Sequence, residues 1–166
     1  SIFPQGTFSE MAQFLRIDCL YRSTLRYELD QTPTYTAINA IGEYLREHPE
    51  GANSDIARHR LQELGDRLDR KAFENAKLYY KMEDYKAARV ALKNVLKEDA
   101  DNIYREEILY YSAMASYKYA DLSIPSKKKE RFLVFQDDYL NFIGEYPESP
   151  HRKELDGLYA KVKEKN

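Results

Sequence analysis

The chain has 166 residues, of which 33% are charged, and its formal net charge is -2. This length suffices for one compact domain or one stack of repeats with a buried core. The near-balance of charges disfavours a nucleic-acid partner, because phosphate contacts normally require a basic excess.

Composition favours helices over sheets. The sequence contains six glycines, six prolines and few β-branched residues, and each of these features is more compatible with helix than with strand. No run of 18 apolar residues exists that could span a membrane. The single cysteine cannot form an internal disulfide.

The first predicted helix runs from about Thr7 to Ser23, with Thr7 or Ser9 as its cap. Its predicted buried face follows helical spacing and consists of Phe8, Ala12, Leu15 and Cys19. Cys19 is therefore expected to be a small core residue and not a nucleophile.

The second helix is expected to begin at Thr34 or Thr36, after a loop closed by Pro33, and to end before Pro49. Its expected inward residues are Tyr35, Ile38, Ile41 and Leu45. From Ser54 to Lys81 one apolar face continues without a break. This predicts a single helix of roughly 28 residues, about 42 Å long.

The stretch 71–100 has the pattern of a tetratricopeptide helix-turn-helix repeat. Small and aromatic residues alternate at helical spacing around a polar turn, in the order Phe73, Ala76, Tyr79, then Tyr85, Ala88, Leu92 and Val95. A fourth helix is predicted from Tyr85 to about Glu98. A repeat of this type indicates a binding scaffold.

Three further helices are predicted in the C-terminal part. The fifth is capped at Asp101 and Asn102, and its expected inward residues are Ile108, Tyr111, Ala115 and Tyr119. A break at 123–126 precedes a sixth helix over 127–146, and a seventh covers 153–163. Their expected inward residues are Phe132, Phe135, Tyr139, Phe142, Leu155, Leu158, Tyr159 and Val162.

Helix ends of similar sequence at 44–50, 95–101 and 142–148 support a repeat architecture. We therefore expect one all-α tetratricopeptide-repeat domain over 1–166, in which hairpins stack into a short right-handed superhelix. Pro4 resembles the same stop signal. The chain is accordingly expected to begin at a repeat boundary, as the C-terminal fragment of a longer repeat protein.

No constellation predicts catalysis or a cofactor. His48, His59 and His151 are isolated and are interpreted as surface or loop residues. The adjacent pairs Asp137–Asp138 and Glu106–Glu107 diverge by about 100° on a helix, so a solvated face is the better interpretation.

Two basic features are candidate partner-binding sites. The first, the basic stripe, lies at intervals of three, four and four on the fourth helix, is expected to face solvent, and consists of Lys86, Arg89, Lys93 and Lys97. The second, the lysine segment, consists of Lys127, Lys128, Lys129 and Arg131. The lysine segment could meet acidic lipid headgroups or an acidic partner, whereas the plainer interpretation is a helix start that is kept soluble.

Several segments together resemble the BamD outer-membrane assembly lipoproteins, in particular a Bacteroidetes-type branch. They are the Leu29-Asp-Gln-Thr-Pro-Thr-Tyr35 entry to a helix, the stretch 71–80, the Tyr85-Lys-Ala-Ala turn, Tyr104-Arg-Glu-Glu-Ile108, residues 127–131 and the ending 139–149. The resemblance covers nearly the whole chain.

The resemblance implies a non-catalytic scaffold of the β-barrel assembly machinery at the periplasmic face of the outer membrane. Implied partners are the periplasmic domains of a BamA-type barrel protein, other subunits of the machinery and nascent β-barrel proteins. Membrane attachment is implied only through a lipid anchor that Cys19 does not supply. In proteobacterial relatives a basic residue meets the barrel protein; the matching position here is Ala91, flanked by Arg89 and Lys93.

Three alternatives differ from this expectation. A generic periplasmic peptide- or protein-binding adaptor would carry lysines and asparagines repeated on successive first helices, which Lys77 alone does not provide. A glycan-binding lipoprotein of the SusD type needs a much larger chain. An enzyme needs a convergent polar constellation.

Overall fold

The computed structural model describes residues 5–165, apart from the side chains of Gln5 and Thr7. Pro4 and the proposed Thr7 cap therefore lie outside the described residues. The described residues form seven α-helices and no strand. The helices are α1 (Gln5–Arg22), α2 (Thr32–Glu47), α3 (Ser54–Lys81), α4 (Tyr85–Glu98), α5 (Arg105–Asp121), α6 (Pro125–Glu145) and α7 (Arg152–Glu164). The predicted all-α fold of tetratricopeptide-like hairpins is confirmed.

The chain divides into two compact units, residues 1–71 and 72–166. In the first unit, α1 packs against α2. Its core contains one residue of α1, four of α2 and two from the first half of α3: Ile17, Ala37, Ala40, Ile41, Tyr44, Ala57 and Leu64.

In the second unit, α5 is the central helix, because α4, α6 and α7 all pack against it. The main core combines α5 with α6 and α7, and its buried residues are Leu109, Tyr110, Ala113, Met114, Phe135, Tyr139, Phe142, Leu155 and Val162. The predicted inward residues Phe135, Phe142 and Leu155 are thus confirmed. Periodicity predicted only one inward face for α5, whereas its neighbours bury nearly its whole circumference.

The long helix predicted from Ser54 to Lys81 is confirmed, as is α4 from Tyr85 to Glu98. The turn between them closes α3 with two backbone hydrogen bonds, from Glu83 N–H to the Tyr80 carbonyl and from Asp84 N–H to the Tyr79 carbonyl, both 3.0 Å. Glu83 lies at φ 62°, in the left-handed conformation that this type of helix end requires and that glycine adopts most easily.

Two prolines that were interpreted as loop residues lie inside helices. Pro33 occupies the first turn of α2 and Pro125 the first turn of α6, so both helices begin earlier than predicted. The first helical turn tolerates proline, because its N–H would have no partner within the helix there. Conversely, α5 begins later than predicted, at Arg105 and not directly after the expected caps Asp101 and Asn102. Asn102 instead accepts a hydrogen bond from Tyr104 N–H (2.8 Å), in the turn before the helix.

The buried face predicted for α1 is wrong. Phe8, Ala12, Leu15 and Cys19 are exposed, while Ile17 is fully buried. The first helix carries apolar residues on two sides, so helical spacing alone does not determine which side faces α2. Cys19 is accordingly a surface residue and not a core residue. Tyr35 of α2 and Tyr79 of α3, both expected inward, are also exposed.

Candidate functional site

The basic stripe of α4 meets a buried carboxylate of α6. Asp138 is only 4% exposed. Its Oδ2 accepts a hydrogen bond from Arg89 Nε (2.8 Å), and its Oδ1 accepts one from Arg89 Nη2 (3.1 Å). Lys93 Nζ lies 3.1 Å from the same Oδ1. The expectation that the whole basic stripe faces solvent is therefore wrong for Arg89 and Lys93.

This arrangement places one buried negative charge against two partly buried positive charges. The hydrogen bonds to Asp138 raise the pKa of Arg89, although partial burial acts in the opposite direction. Buried carboxylates are tolerated when they are paired and hydrogen-bonded in this way. The interpretation of Asp137 and Asp138 as one solvated face is wrong for Asp138, whereas Asp137 is exposed.

An apolar cavity of about 210 Å³ lies beside this ion pair, between α4, α5 and α6. Its described lining contains three cationic and no acidic side chains: Tyr85, Lys86, Arg89, Val90, Ser116, Tyr119, Arg131 and Val134. Two residues of the basic stripe and one of the lysine segment thus surround one cavity. The sequence identified the two basic groups but gave no indication that they meet.

Arg131 is held in place from two sides. Its Nη1 donates to Ser123 Oγ (2.6 Å), and its guanidinium lies 4.3 Å from the centre of the Tyr119 ring. A cation over an aromatic face is stabilised by the quadrupole of the ring. Arg131 therefore contributes a positive charge to the cavity in a defined position.

A wider groove continues along the other half of α4, with a volume of about 600 Å³. It is lined by Lys93, Leu96, Lys97, Ala100, Arg105, Leu109, Leu140, Asn141, Gly144 and Glu145. Arg105 forms a two-pronged pair with Glu145, at 2.8 and 2.7 Å. This pair lowers the pKa of Glu145 and raises that of Arg105. The Arg89–Asp138–Lys93 cluster lies between the cavity and the groove.

The three lysines of the lysine segment line neither the cavity nor the groove. Lys127 and Lys129 are exposed near the start of α6, and Lys128 is half-buried. The lysine segment is therefore divided in space, because Arg131 turns towards α4 while the lysines lie towards the α5–α6 loop.

His151 is more than an isolated loop residue. Its ring stacks on Tyr110 at a centroid distance of 3.8 Å, and its Nε2 lies 2.6 Å from Glu107 Oε1. His48 lies 3.1 Å from Gln13 Oε1. These contacts join neighbouring helices. In the part of the chain that the structure describes, no three metal-type ligands cluster.

Asp138 is the residue that sequence reasoning missed, although a signal was present. It lies between Phe135 and Phe142, at intervals of three and four, and therefore on the apolar face of α6. A charged residue at such a position predicts a partner on a neighbouring helix. The basic stripe supplies that partner.

Hairpins of the tetratricopeptide type place this chain among the helical-repeat proteins. Within that class, residues 1–133 match the model of the YfiO family, described as an outer membrane lipoprotein, and the chain belongs to this family. The match confirms the resemblance to the BamD-type assembly lipoproteins, which are non-enzymatic scaffolds. No curated protein matches the sequence. Among the described helices, none is long and apolar enough to cross a membrane.

Proposed function

We propose that this chain is a non-catalytic scaffold subunit of the outer-membrane β-barrel assembly machinery. It binds the periplasmic domains of a BamA-type barrel protein, and it works at the periplasmic face of the outer membrane together with other subunits and nascent barrel proteins. Family membership supports the assembly role. The observation that supports a binding site on α4 is the apolar cavity, whose described lining contains three cationic and no acidic side chains.

The cavity suits a partner that combines acidic and apolar groups. Arg89 donates from Nε and Nη2 to Asp138. Because a guanidinium carries five N–H groups, the donors of Nη1 are left for a partner. Tyr85, Tyr119 and the valines supply apolar area around the cations. A partner carboxylate would be drawn to the rim, while a neighbouring apolar side chain fills the cavity.

The test uses the two exposed members of the basic stripe, Lys86 and Lys97. Their reversal to glutamate should weaken binding of the full-length protein to the isolated periplasmic domains by about tenfold, since exposed ion pairs each contribute up to about 1 kcal/mol. The remaining affinity should depend less on salt. Titration at two salt concentrations measures both effects.

A matched control reverses Lys153 and Lys161, which are exposed on α7. This control changes the net charge equally and should leave the affinity unchanged. Equal affinity of both variants and the wild type would move the interface away from α4. Pull-down from solubilised outer membranes separates the proposal from a generic peptide-binding adaptor, because only the proposed function recovers a barrel protein with periplasmic domains.

A further inference from the structure

The α5–α6 loop exposes two large aliphatic side chains next to the lysines. Leu122 is 75% exposed and Ile124 is 64% exposed. Neither residue lines the cavity or the groove described above. Isolated exposed aliphatics are common, but two on one short loop beside a basic cluster form a coherent surface.

The loop holds these side chains on an ordered backbone. The N–H of Leu122 donates to the Lys118 carbonyl (3.0 Å), and that of Ser123 donates to the Ala120 carbonyl (3.1 Å). Ser123 Oγ also receives the hydrogen bond from Arg131. The exposure of Leu122 and Ile124 is therefore a property of the folded loop.

The charge of this region is opposite to that of the chain. Residues 121–131 carry four basic and two acidic side chains, whereas the whole chain has a formal net charge of -2. The only ion pair recorded for the three lysines in the described residues joins Lys127 to Glu130 at 3.8 Å, between exposed side chains. Such a pair is weak. The lysines also lie at a helix N-terminus, where the helix dipole favours negative charge.

We propose that residues 122–129 form a contact with the surface of an anionic phospholipid membrane. Leu122 and Ile124 enter the interface, and Lys127, Lys128 and Lys129 pair with lipid phosphates. Protruding aliphatics that line neither the described cavity nor the described groove suit a fluid lipid surface better than a structured protein pocket. Lysines, which are flexible point charges, suit headgroups of variable position. This membrane contact is separate from the barrel-protein interface proposed on α4.

The experiment measures sedimentation of the 166-residue chain, produced without lipidation, with vesicles of phosphatidylcholine, with and without an equal part of phosphatidylglycerol. Binding is expected only to the anionic vesicles, and it should weaken as salt is added. Reversal of Lys127, Lys128 and Lys129 to glutamate should reduce the partition coefficient on the order of a hundredfold or more, because each lysine contributes roughly fivefold. Leu122→Ser with Ile124→Ser should reduce it about tenfold.

Two controls match these variants. Reversal of Lys153, Lys161 and Lys165 changes the charge by the same amount at exposed positions, two on α7 and one directly after it. Leu78→Ser with Ile103→Ser alters two aliphatic side chains that are 52% and 54% exposed. Both controls should bind the anionic vesicles like the wild type.

Three outcomes would overturn the membrane contact. One is no binding to anionic vesicles, and another is an equal loss in the control variants. The third is normal vesicle binding by the loop variants together with lost binding to the periplasmic domains, which would make this surface a protein interface. The test of the α4 interface uses Lys86 and Lys97, so the two proposals can fail independently.

Discussion

The buried carboxylate of Asp138 determines how the two nearest cations of α4, Arg89 and Lys93, are used. Arg89 and Lys93 are about one-third exposed, and both form ion pairs with its carboxylate. Removing one member of a buried pair is costly, because the other charge is left without compensation. The members of the basic stripe therefore differ in role: Arg89 and Lys93 link α4 to α6 through Asp138, whereas Lys86 and Lys97 remain exposed.

Asp138→Ala should lower the free energy of unfolding by about 2 kcal/mol, a value reduced from the usual range because Arg89 and Lys93 keep some hydration. Asp138→Asn should cost less, since the amide oxygen still accepts one hydrogen bond. Urea unfolding followed by circular dichroism measures both variants. A loss below about 0.5 kcal/mol for the alanine variant would mean that the cluster contributes little to stability.

Reversal of both Arg89 and Lys93 to glutamate should destabilise the protein by at least about 3 kcal/mol, because two acids would then face buried Asp138. Thermal unfolding of the double variant tests this, with Lys86→Glu as a control that should unfold like the wild type. A wild-type melting temperature for the double variant would contradict the pairing. Binding losses of that variant should therefore not be assigned to lost contacts with a partner.

Glu83 adopts a left-handed backbone conformation that costs a non-glycine residue about 1 kcal/mol. Glu83→Gly should therefore raise the free energy of unfolding by up to about 1 kcal/mol. Glu83→Ala should give no such gain, since alanine keeps the Cβ. Chemical denaturation of the three proteins under one condition decides the question, and equal stability of the glycine and alanine variants would refute the strain.

At the level of elements, α1 presents two apolar sides, of which only one is buried. Ile17→Ala should cost about 2–4 kcal/mol, because it leaves a cavity in the core of the first unit. Leu15 lies on the other side and is 57% exposed. Leu15→Ala should therefore lower the free energy of unfolding by less than about 0.5 kcal/mol. Comparison of the two unfolding curves tests the orientation of α1. A larger loss for Leu15→Ala would indicate that this side is buried.

Elements with a single apolar side could be predicted from the sequence, and elements with two could not. The bounds of α3 and α4 follow from an unbroken apolar face and from the turn between them. Helical spacing failed for α1, because both sides satisfy the same period. It also underestimated α5, because a central helix is buried by neighbours that are distant in sequence.

The candidate site was predictable in composition but not in geometry. The spacing of Lys86, Arg89, Lys93 and Lys97 indicated one helical face. Asp138 and Arg131 lie 49 and 42 positions beyond Arg89 in the sequence. Only tertiary packing brings them to that face. An aspartate on an apolar stripe was the one available sign that part of the basic stripe was already neutralised.

At the scale of the whole molecule, several buried tyrosines make stability sensitive to alkaline pH. Burial, and then a hydrogen bond to Asp156, raise the pKa of Tyr139 to about 12. Burial likewise raises the pKa of Tyr110 and Tyr80. The folded state therefore favours the protonated phenol of Tyr139. Its contribution to the free energy of unfolding is complete below about pH 10 and is lost as the pH rises towards 12.

The free energy of unfolding should accordingly fall between about pH 10 and 12, with Tyr139 contributing about 2–3 kcal/mol of the decrease. Tyr139→Phe should flatten this part of the profile, because phenylalanine has no phenol that could titrate. Urea unfolding at a series of pH values measures the profile. An identical slope for Tyr139→Phe and the wild type would remove Tyr139 as a source of the alkaline loss.

The boundary between the two compact units falls inside α3, between residues 71 and 72. Proteases cut extended backbone, which must first leave its hydrogen-bonded helix. A protease added to the native protein therefore finds no ready cleavage point where one unit ends and the next begins. The chain has two compact units but lacks the peptide linker by which such units are usually separated, and its middle should resist digestion longer than its surface loops.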